Sequence, residues 1–367
     1  MDKENFEKLL TINSVDIWIS LKFKEKKRKA IDRWLHTQLK GLLNIDVEGM
    51  KCKRIYLEPY SIDSALESEV VPGAYRFTPE NKKLHLTNKK ISLSILNEEI
   101  HYGFNTILSL SIHFLYFLCS VQSNKTLVHA AGFKHKEKNI LVPAFGGIGK
   151  TFLVSKLSQN LTTSIYGDDL VMLDNNNVIF PYHRPMCMYQ YHYENYLKDR
   201  LPRRHYFLKP SLLWRILFRL RIEILDRFGF QIGDMDDFSA HSKGYITTAV
   251  GDILNDRQIP KHGESLDIIV VIKRTSASEI VIKEVADIEE RKGLATYISA
   301  ITHHEWAAYH KLMLAYSAFT KQRISEQFRI SENLIEKAFL TTGKVCLIQL
   351  PINAKDLDIE KALDSLV

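Results

Sequence analysis

Three features of the chain predict an α/β fold built on a mixed sheet. A β-prone run, Asn139–Phe145 (NILVPAF), leads straight into a glycine-rich turn and a helical stretch over Thr151–Gln159. A second run, Thr126–Phe133 (TLVHAAGF), precedes it across the polar connection Lys134–Lys138, the pattern of an antiparallel hairpin. Strongly apolar strands at Leu266–Lys273 and Val345–Leu350, with helical periodicity between them, complete the alternation of element types.

The bulk numbers suit such a fold. A chain of 367 residues has room for two or three structural units, and 45% apolar with 25% charged residues is the balance of a soluble globular protein. Four scattered cysteines show no CxxC or Cys/His spacing, which argues for reduced thiols in the cytoplasm and against a disulfide framework or zinc site. Met1–Leu10 lacks the apolar core of a signal peptide. The apolar segment Ile107–Val121 falls short of the roughly 20 residues needed to span a bilayer, so a buried helix and no integral membrane association are expected. The net charge of +7 fits either a solvated surface or an acidic or phosphate-rich partner.

In chain order, residues 1–100 read as an N-terminal α+β region. It carries a basic run at Lys22–Lys29, a turn at Val70–Gly73 and short strands over Lys83–Ile95. Leu96–Val121 reads as mostly helical. The nucleotide-binding core is assigned to 101–367, with a basic, aromatic insertion at about 181–262. Within that insertion Pro210–Phe228 has helical periodicity with arginines on its polar face. Thr163–Tyr166 reads as a strand that delivers Gly167-Asp168-Asp169, and Leu170–Leu173 continues extended. Helices are expected over Ile288–Leu340, where Ser325–Leu340 carries a faint helix-turn-helix resemblance without its glycine turn.

The chemistry concentrates in Ala144-Phe145-Gly146-Gly147-Ile148-Gly149-Lys150-Thr151. This is the P-loop pattern GxxxxGK[ST] at every defined position except the first, where Ala144 replaces glycine. Backbone N–H groups of such a loop wrap phosphates, the lysine neutralises the terminal ones, and the hydroxyl of Ser or Thr ligates magnesium. The following helix adds its N-terminal N–H groups. Phe145, Gly146, Gly147, Ile148, Gly149, Lys150, Thr151 and Phe152 are therefore the expected nucleotide-binding residues, with magnesium and ATP or GTP as ligands. Asp168 and Asp169, at the end of the next strand, supply one carboxylate for the metal and one to accept a proton from an attacking hydroxyl. Adjacent residues on extended chain point opposite ways, so a turn must bring both to one site. His129, in the strand before the hairpin turn, is the third candidate.

The succession LVHAAG, PAFGGIGKT, YGDDLVML resembles the core of HPr kinase/phosphorylase and its relatives, with weaker likeness over Val178–Pro185, residues 266–274 and the final VCLIQLP. That resemblance implies a nucleotide-binding fold of the phosphoenolpyruvate carboxykinase type. It implies transfer of the γ-phosphate to a serine-type hydroxyl of a peptide or protein. Carried over residue by residue, Lys150 holds phosphates, Thr151 and Asp169 contact the metal, Asp168 is the base, and His129 sits near the transferred group. Ala144 departs from the pattern. No copy of the segment that grips HPr is found, so distant relatives that modify peptides are the better guide. Other readings are a small-molecule, nucleoside or RNA kinase, the last suggested by the positive charge alone, and a nucleotide-gated binding protein without catalysis. A homo-oligomer is compatible with all of them.

Overall fold

The computed structural model describes backbone strands within residues 6–103, then residues 117, 120–121, 124–184, 186–189, 245–248, 253–255, 257–276, 278–306, 323–354 and 356–366. Contacts divide the chain into two compact units, neither of which is continuous. The first takes Met1–Leu115, Tyr206–Thr247 and Ala308–Ile324, and the second takes the remainder. The expected insertion at 181–262 therefore contributes to both units, although its arginine-rich and tyrosine-rich parts lie outside the described residues, as does the basic run Lys22–Lys29.

In the first unit, β1 (Phe6–Ile12), β2 (Val15–Leu21), β3 (Leu43–Asn44), β4 (Lys53–Glu58), β8 (Leu93–Leu96) and β9 (Glu99–Gly103) form a mixed sheet in the order β3-β1-β2-β4-β9-β8. A separate three-stranded sheet joins β5 (Glu69–Val71), β6 (Tyr75–Thr78) and β7 (Lys83–Leu86) in sequence order. The short strands expected over Lys83–Ile95 are β7 and β8. Of the expected turn at Val70–Gly73, Val70 and Val71 belong to β5, and the last two residues lie outside the described residues. The helical reading of Leu96–Val121 is corrected at its start, where β9 pairs with β4 and β8. Of the apolar stretch Ile107–Val121, Phe117, Ser120 and Val121 are described, and all three are buried.

The second unit is built on a nine-stranded mixed sheet. Its central strands are β10 (Lys125–His135) and β11 (Lys138–Pro143), joined by a two-residue turn, Lys136–Glu137, with φ of 46° and 62°. Positive φ at both turn residues is the type I′ geometry, whose twist matches that of the paired strands. Next in the chain come α1 (Lys150–Leu157), β12 (Ile165–Gly167), β13 (Leu170–Asp174), β14 (Val178–Phe180) and β15 (Met186–Tyr189), then β16 (Tyr245–Thr248), whose first three residues belong to the first unit. They are followed by β17 (Glu264–Ser265), β18 (Ile268–Thr275), β19 (Val281–Glu284), α2 (Ile288–Glu305), α3 (Ile324–Thr341), β20 (Lys344–Pro351) and α4 (Asp356–Asp364). The sheet order is β17-β14-β13-β10-β11-β18-β20-β19, with β12 also on β10. β11, β18 and β20 run parallel, whereas β10, β12 and β13 are antiparallel to their neighbours. A mixed sheet flanked by helices is the α/β class expected.

Burial explains why these runs are strands. Residues 125–133, 139–143 and 268–272 are buried without a break, as strands covered on both faces must be. Alternate residues, including Val128, Ala130, Leu141, Ile269 and Val271, share a cluster with Leu294, Ala295, Ile298 and Ile301 of α2 and Ile335, Ala338 and Phe339 of α3. Leu127, His129 and Ala131 belong to the alternate positions of β10. Over Ser325–Leu340 the chain forms one continuous helix, α3, so the helix-turn-helix resemblance is set aside. Its buried positions, from Gln327 through Leu334 and Ile335 to Phe339, keep helical spacing throughout. The unforeseen elements include β15 and β16 in the insertion, β17 just after it, the exposed edge strand β19, too polar at its end to read as a strand, and α4, which packs on α1.

Candidate active site

The loop 144–149 leaves β11 and enters α1 as the motif requires. Gly147 and Gly149 have φ of 77° and 110°, the left-handed region in which a side chain is strained. Ala144, fully buried, has no such φ, which is why alanine can replace the first glycine. Gly146 has neither constraint, and open space surrounds the position a Cβ would take. Gly149 caps α1 without any side-chain bond, so no side chain caps the first-turn N–H groups. Ile148 and Phe152 turn their side chains into the interior, so they can offer a phosphate only backbone N–H. Phe145 instead projects outward, 45% exposed.

Lys150 is buried and folds back over its own loop. Its Nζ donates to the carbonyls of Ala144 at 2.6 Å and Phe145 at 3.1 Å, and lies 3.2 Å from Nε2 of His129. His129 is brought there by strand alternation on β10, and its backbone N–H is held by Thr302 Oγ1 of α2 at 3.1 Å. The loop, the histidine strand and the lysine thus meet at one point.

The aspartate pair reaches the same point through an irregularity between β12 and β13. Both strands pair with β10, but the register shifts near Gly132, and the Asp169 carbonyl bridges the gap by accepting from Ala130 N–H at 3.1 Å. The bend begins at Gly167, where a Cβ would sit 2.3 Å from the Leu170 carbonyl and 2.9 Å from that of Tyr182. As a result two adjacent carboxylates face one site. Asp168 Oδ2 accepts from Thr151 Oγ1 at 3.0 Å. Asp169 Oδ1 contacts His129 Nε2 at 3.0 Å, and its Oδ2 accepts from Arg184 Nη1 at 2.8 Å.

Their electrostatics diverge. Burial, then the neighbouring charge of Asp169, pushes the Asp168 carboxyl up to about 7, against the Thr151 hydrogen bond and the charge of Lys150. Desolvation also opposes ionisation of Asp169, but the Arg184 guanidinium, the His129 ring and Lys150 outweigh it and hold that carboxyl well below the usual range. Asp169 keeps 39% of its side chain exposed, so the ion pairs rather than burial decide its state. Asp168 is only 8% exposed, and its Oδ1 is buried with no hydrogen-bond partner among the described residues.

No family model matches the chain, and no curated protein matches it. The residues themselves must carry the assignment.

Every residue expected to form the site lies in the second unit, and Lys150, Thr151, Asp168, Asp169 and His129 converge. Thr151, the expected metal ligand, neighbours Asp168, while both oxygens of Asp169 are engaged by His129 and Arg184. Arg184 was missed. The β13–β14 hairpin turns at Asp174–Asn177 and returns the chain past β12, where Tyr182 N–H bonds to the Tyr166 carbonyl at 2.7 Å and sets Arg184 beside Asp169. Its only sequence signal was a single arginine in the apolar stretch Val178–Met186 that follows the aspartates.

Magnesium fits this donor set. A hydroxyl beside a buried carboxylate whose second oxygen lacks a partner is a hard-oxygen pair of the kind magnesium shares with phosphates. Among the described residues no group of three His, Cys, Asp or Glu could hold a metal alone. A magnesium ion bound mainly by nucleotide phosphates and water needs none. No helix of the described residues is long and apolar enough to cross a membrane.

Proposed function

We propose that the second unit binds a magnesium nucleoside triphosphate, ATP or GTP, and transfers its γ-phosphate to a hydroxyl, most simply a serine of a peptide or protein. The observation that carries this reading is the contact of Thr151, the hydroxyl residue of a phosphate loop, with the buried Asp168 carboxylate. The antiparallel hairpin feeding the loop, the histidine on its first strand and the aspartates on the neighbouring strand support a relationship to the HPr kinase type.

In this reading the loop N–H groups, the start of α1 and Lys150 hold the phosphates. Lys150 exchanges the carbonyls of Ala144 and Phe145 for phosphate oxygens. Thr151 would hold magnesium beside Asp168, and the ion would offset phosphate charge when bound. The acceptor oxygen then forms a bond to the γ-phosphorus as the bond to the β–γ bridging oxygen breaks. The acceptor proton passes to Asp168, and a nucleoside diphosphate leaves. In the unliganded site burial, then the charge of Asp169, raises that carboxyl to about 7. Asp169, held between the His129 ring and the Arg184 guanidinium, positions both toward the transferring group.

The test is mass spectrometry of acceptors after incubation with Mg-ATP or Mg-GTP. Lys150→Ala should lower transfer about 10²–10³-fold by removing an electrostatic contact to the phosphates. Asp168→Asn should abolish most transfer while nucleotide still binds. Full transfer by Asp168→Asn would remove Asp168 as the proton acceptor, whereas nucleotide binding by wild type with no acceptor gaining phosphate would sink the catalytic reading and favour a nucleotide-gated binding protein.

A further inference from the structure

Phe145 is the one residue of the loop whose large side chain is exposed, and its surroundings are organised. Its ring makes a T-shaped contact with that of Tyr297, from α2, with centroids 5.8 Å apart and planes at 67°. Lys273 Nζ lies 4.1 Å from the centroid of that same Tyr297 ring. The arrangement follows from the sheet. β11 and β18 are parallel with Ile140 opposite Ile268 and Leu141 opposite Ile269, and continuing that register sets Phe145 level with Lys273. Both sit toward the C-terminal ends of parallel strands, the edge at which α/β sheets bind ligands.

The ring stands at the terminal-phosphate end of the loop. Its own carbonyl accepts from Lys150 Nζ, the group that takes the terminal phosphates, at 3.1 Å. A nucleobase would lie at the far end of the triphosphate, so an aromatic surface here faces whatever receives the phosphate. Covering the Phe145 ring would remove apolar surface from water, and the adjacent ammonium adds positive charge to the same shelf.

We propose that Phe145, Tyr297 and Lys273 form an acceptor shelf selecting a peptide whose hydroxyl residue is flanked by an apolar or aromatic side chain and a nearby carboxylate. This inference rests on the kinase reading above. The apolar flank covers Phe145 where it meets Tyr297, and the carboxylate pairs with Lys273. No covalent step beyond the phosphoryl transfer already described is involved.

The probe is a degenerate serine peptide library with Mg-ATP, read as the ratio of phosphate incorporated into peptides with Leu or Phe beside serine over those with Gly. Such a ratio is internal to each variant and independent of its overall rate. Wild type should favour the apolar flank about ten-fold. Phe145→Ala should bring the ratio near one, and Phe145→Trp should preserve it. Lys273→Glu should reverse a preference for acidic over basic flanks. A flank preference that survives Phe145→Ala overturns the proposal. So does nucleotide hydrolysis by wild type without labelling of any library peptide. Weakened ATP binding by Phe145→Ala with unchanged tripolyphosphate binding would assign the ring to the base instead, and also overturns it. Wild type that neither binds nor hydrolyses nucleotide removes the kinase reading itself, a distinct result.

Discussion

At the scale of the residue, Asp168 and Asp169 are neighbours with opposite titration behaviour. Asp168 is raised to about 7, first by burial and then by the charge of Asp169, whereas Arg184 and His129 keep Asp169 ionised. Replacing Asp169 by Asn removes one of the two raising causes, so the Asp168 midpoint, followed by carboxyl carbon NMR in the unliganded protein, should fall from about 7. An unchanged midpoint would leave burial as the whole cause. The raised value has a stability consequence of definite sign. A carboxyl harder to ionise when folded than when unfolded destabilises the fold as pH rises from its ordinary value through about 7. Asp168→Asn should therefore match wild type near pH 4 and exceed it by about 2–4 kcal/mol at pH 8, measured by urea unfolding. Equal stability at both pH values would count against a raised carboxyl.

At the scale of the element, the site depends on the bend between β12 and β13. Without it the aspartates would point to opposite faces of the sheet, and one would lose the loop. Gly167 permits the bend because no side chain fits between the carbonyls of Leu170 and Tyr182. Gly167→Ala should cost about 2 kcal/mol or more through overpacking and displaced backbone, and transfer should fall with it. Unfolding by denaturant together with the transfer assay decides this; wild-type values of both would mean that the bend does not position the pair. The loop end of α1 follows the same logic. Two left-handed glycines shape the turn, and the absence of a side-chain cap leaves its N–H groups oriented for an anion.

At the scale of the whole molecule, all candidate site residues fall in the second unit, although both units are assembled from separate stretches of chain. A ligand that binds only the folded state stabilises it by about 2.7 kcal/mol at a hundred times its Kd. Mg-ATP should thus raise the unfolding midpoint, and Lys150→Ala should remove most of that rise. Hydrogen exchange should locate the protection at residues 144–151, 168–169 and around Arg184, with strands β1–β9 unchanged. A midpoint indifferent to nucleotide, or protection spread evenly over both units, would oppose the assignment.

Much of the second unit is readable from local chemistry. Continuous apolar runs mark strands buried on both faces, glycines at fixed spacing mark the loop, and GKT and Asp-Asp mark side chains whose contacts lie within a short stretch of chain. His129 could be named for the same reason, since its hairpin partner is close in sequence. What local pattern does not carry is which distant groups share a neighbourhood. The salt bridge of Arg184 to Asp169 and the bond of Thr302 to the His129 backbone depend on how β14 returns and how α2 crosses β10. The pairing of Thr151 with Asp168 rather than Asp169 depends on one bend beside β10. Propensity and periodicity act over a few residues, so the sequence by itself determined the main strands of the second unit, the glycine loop and the candidate side chains. Register, bends and long-range packing, which act between residues far apart in the chain, decided which of those side chains meet.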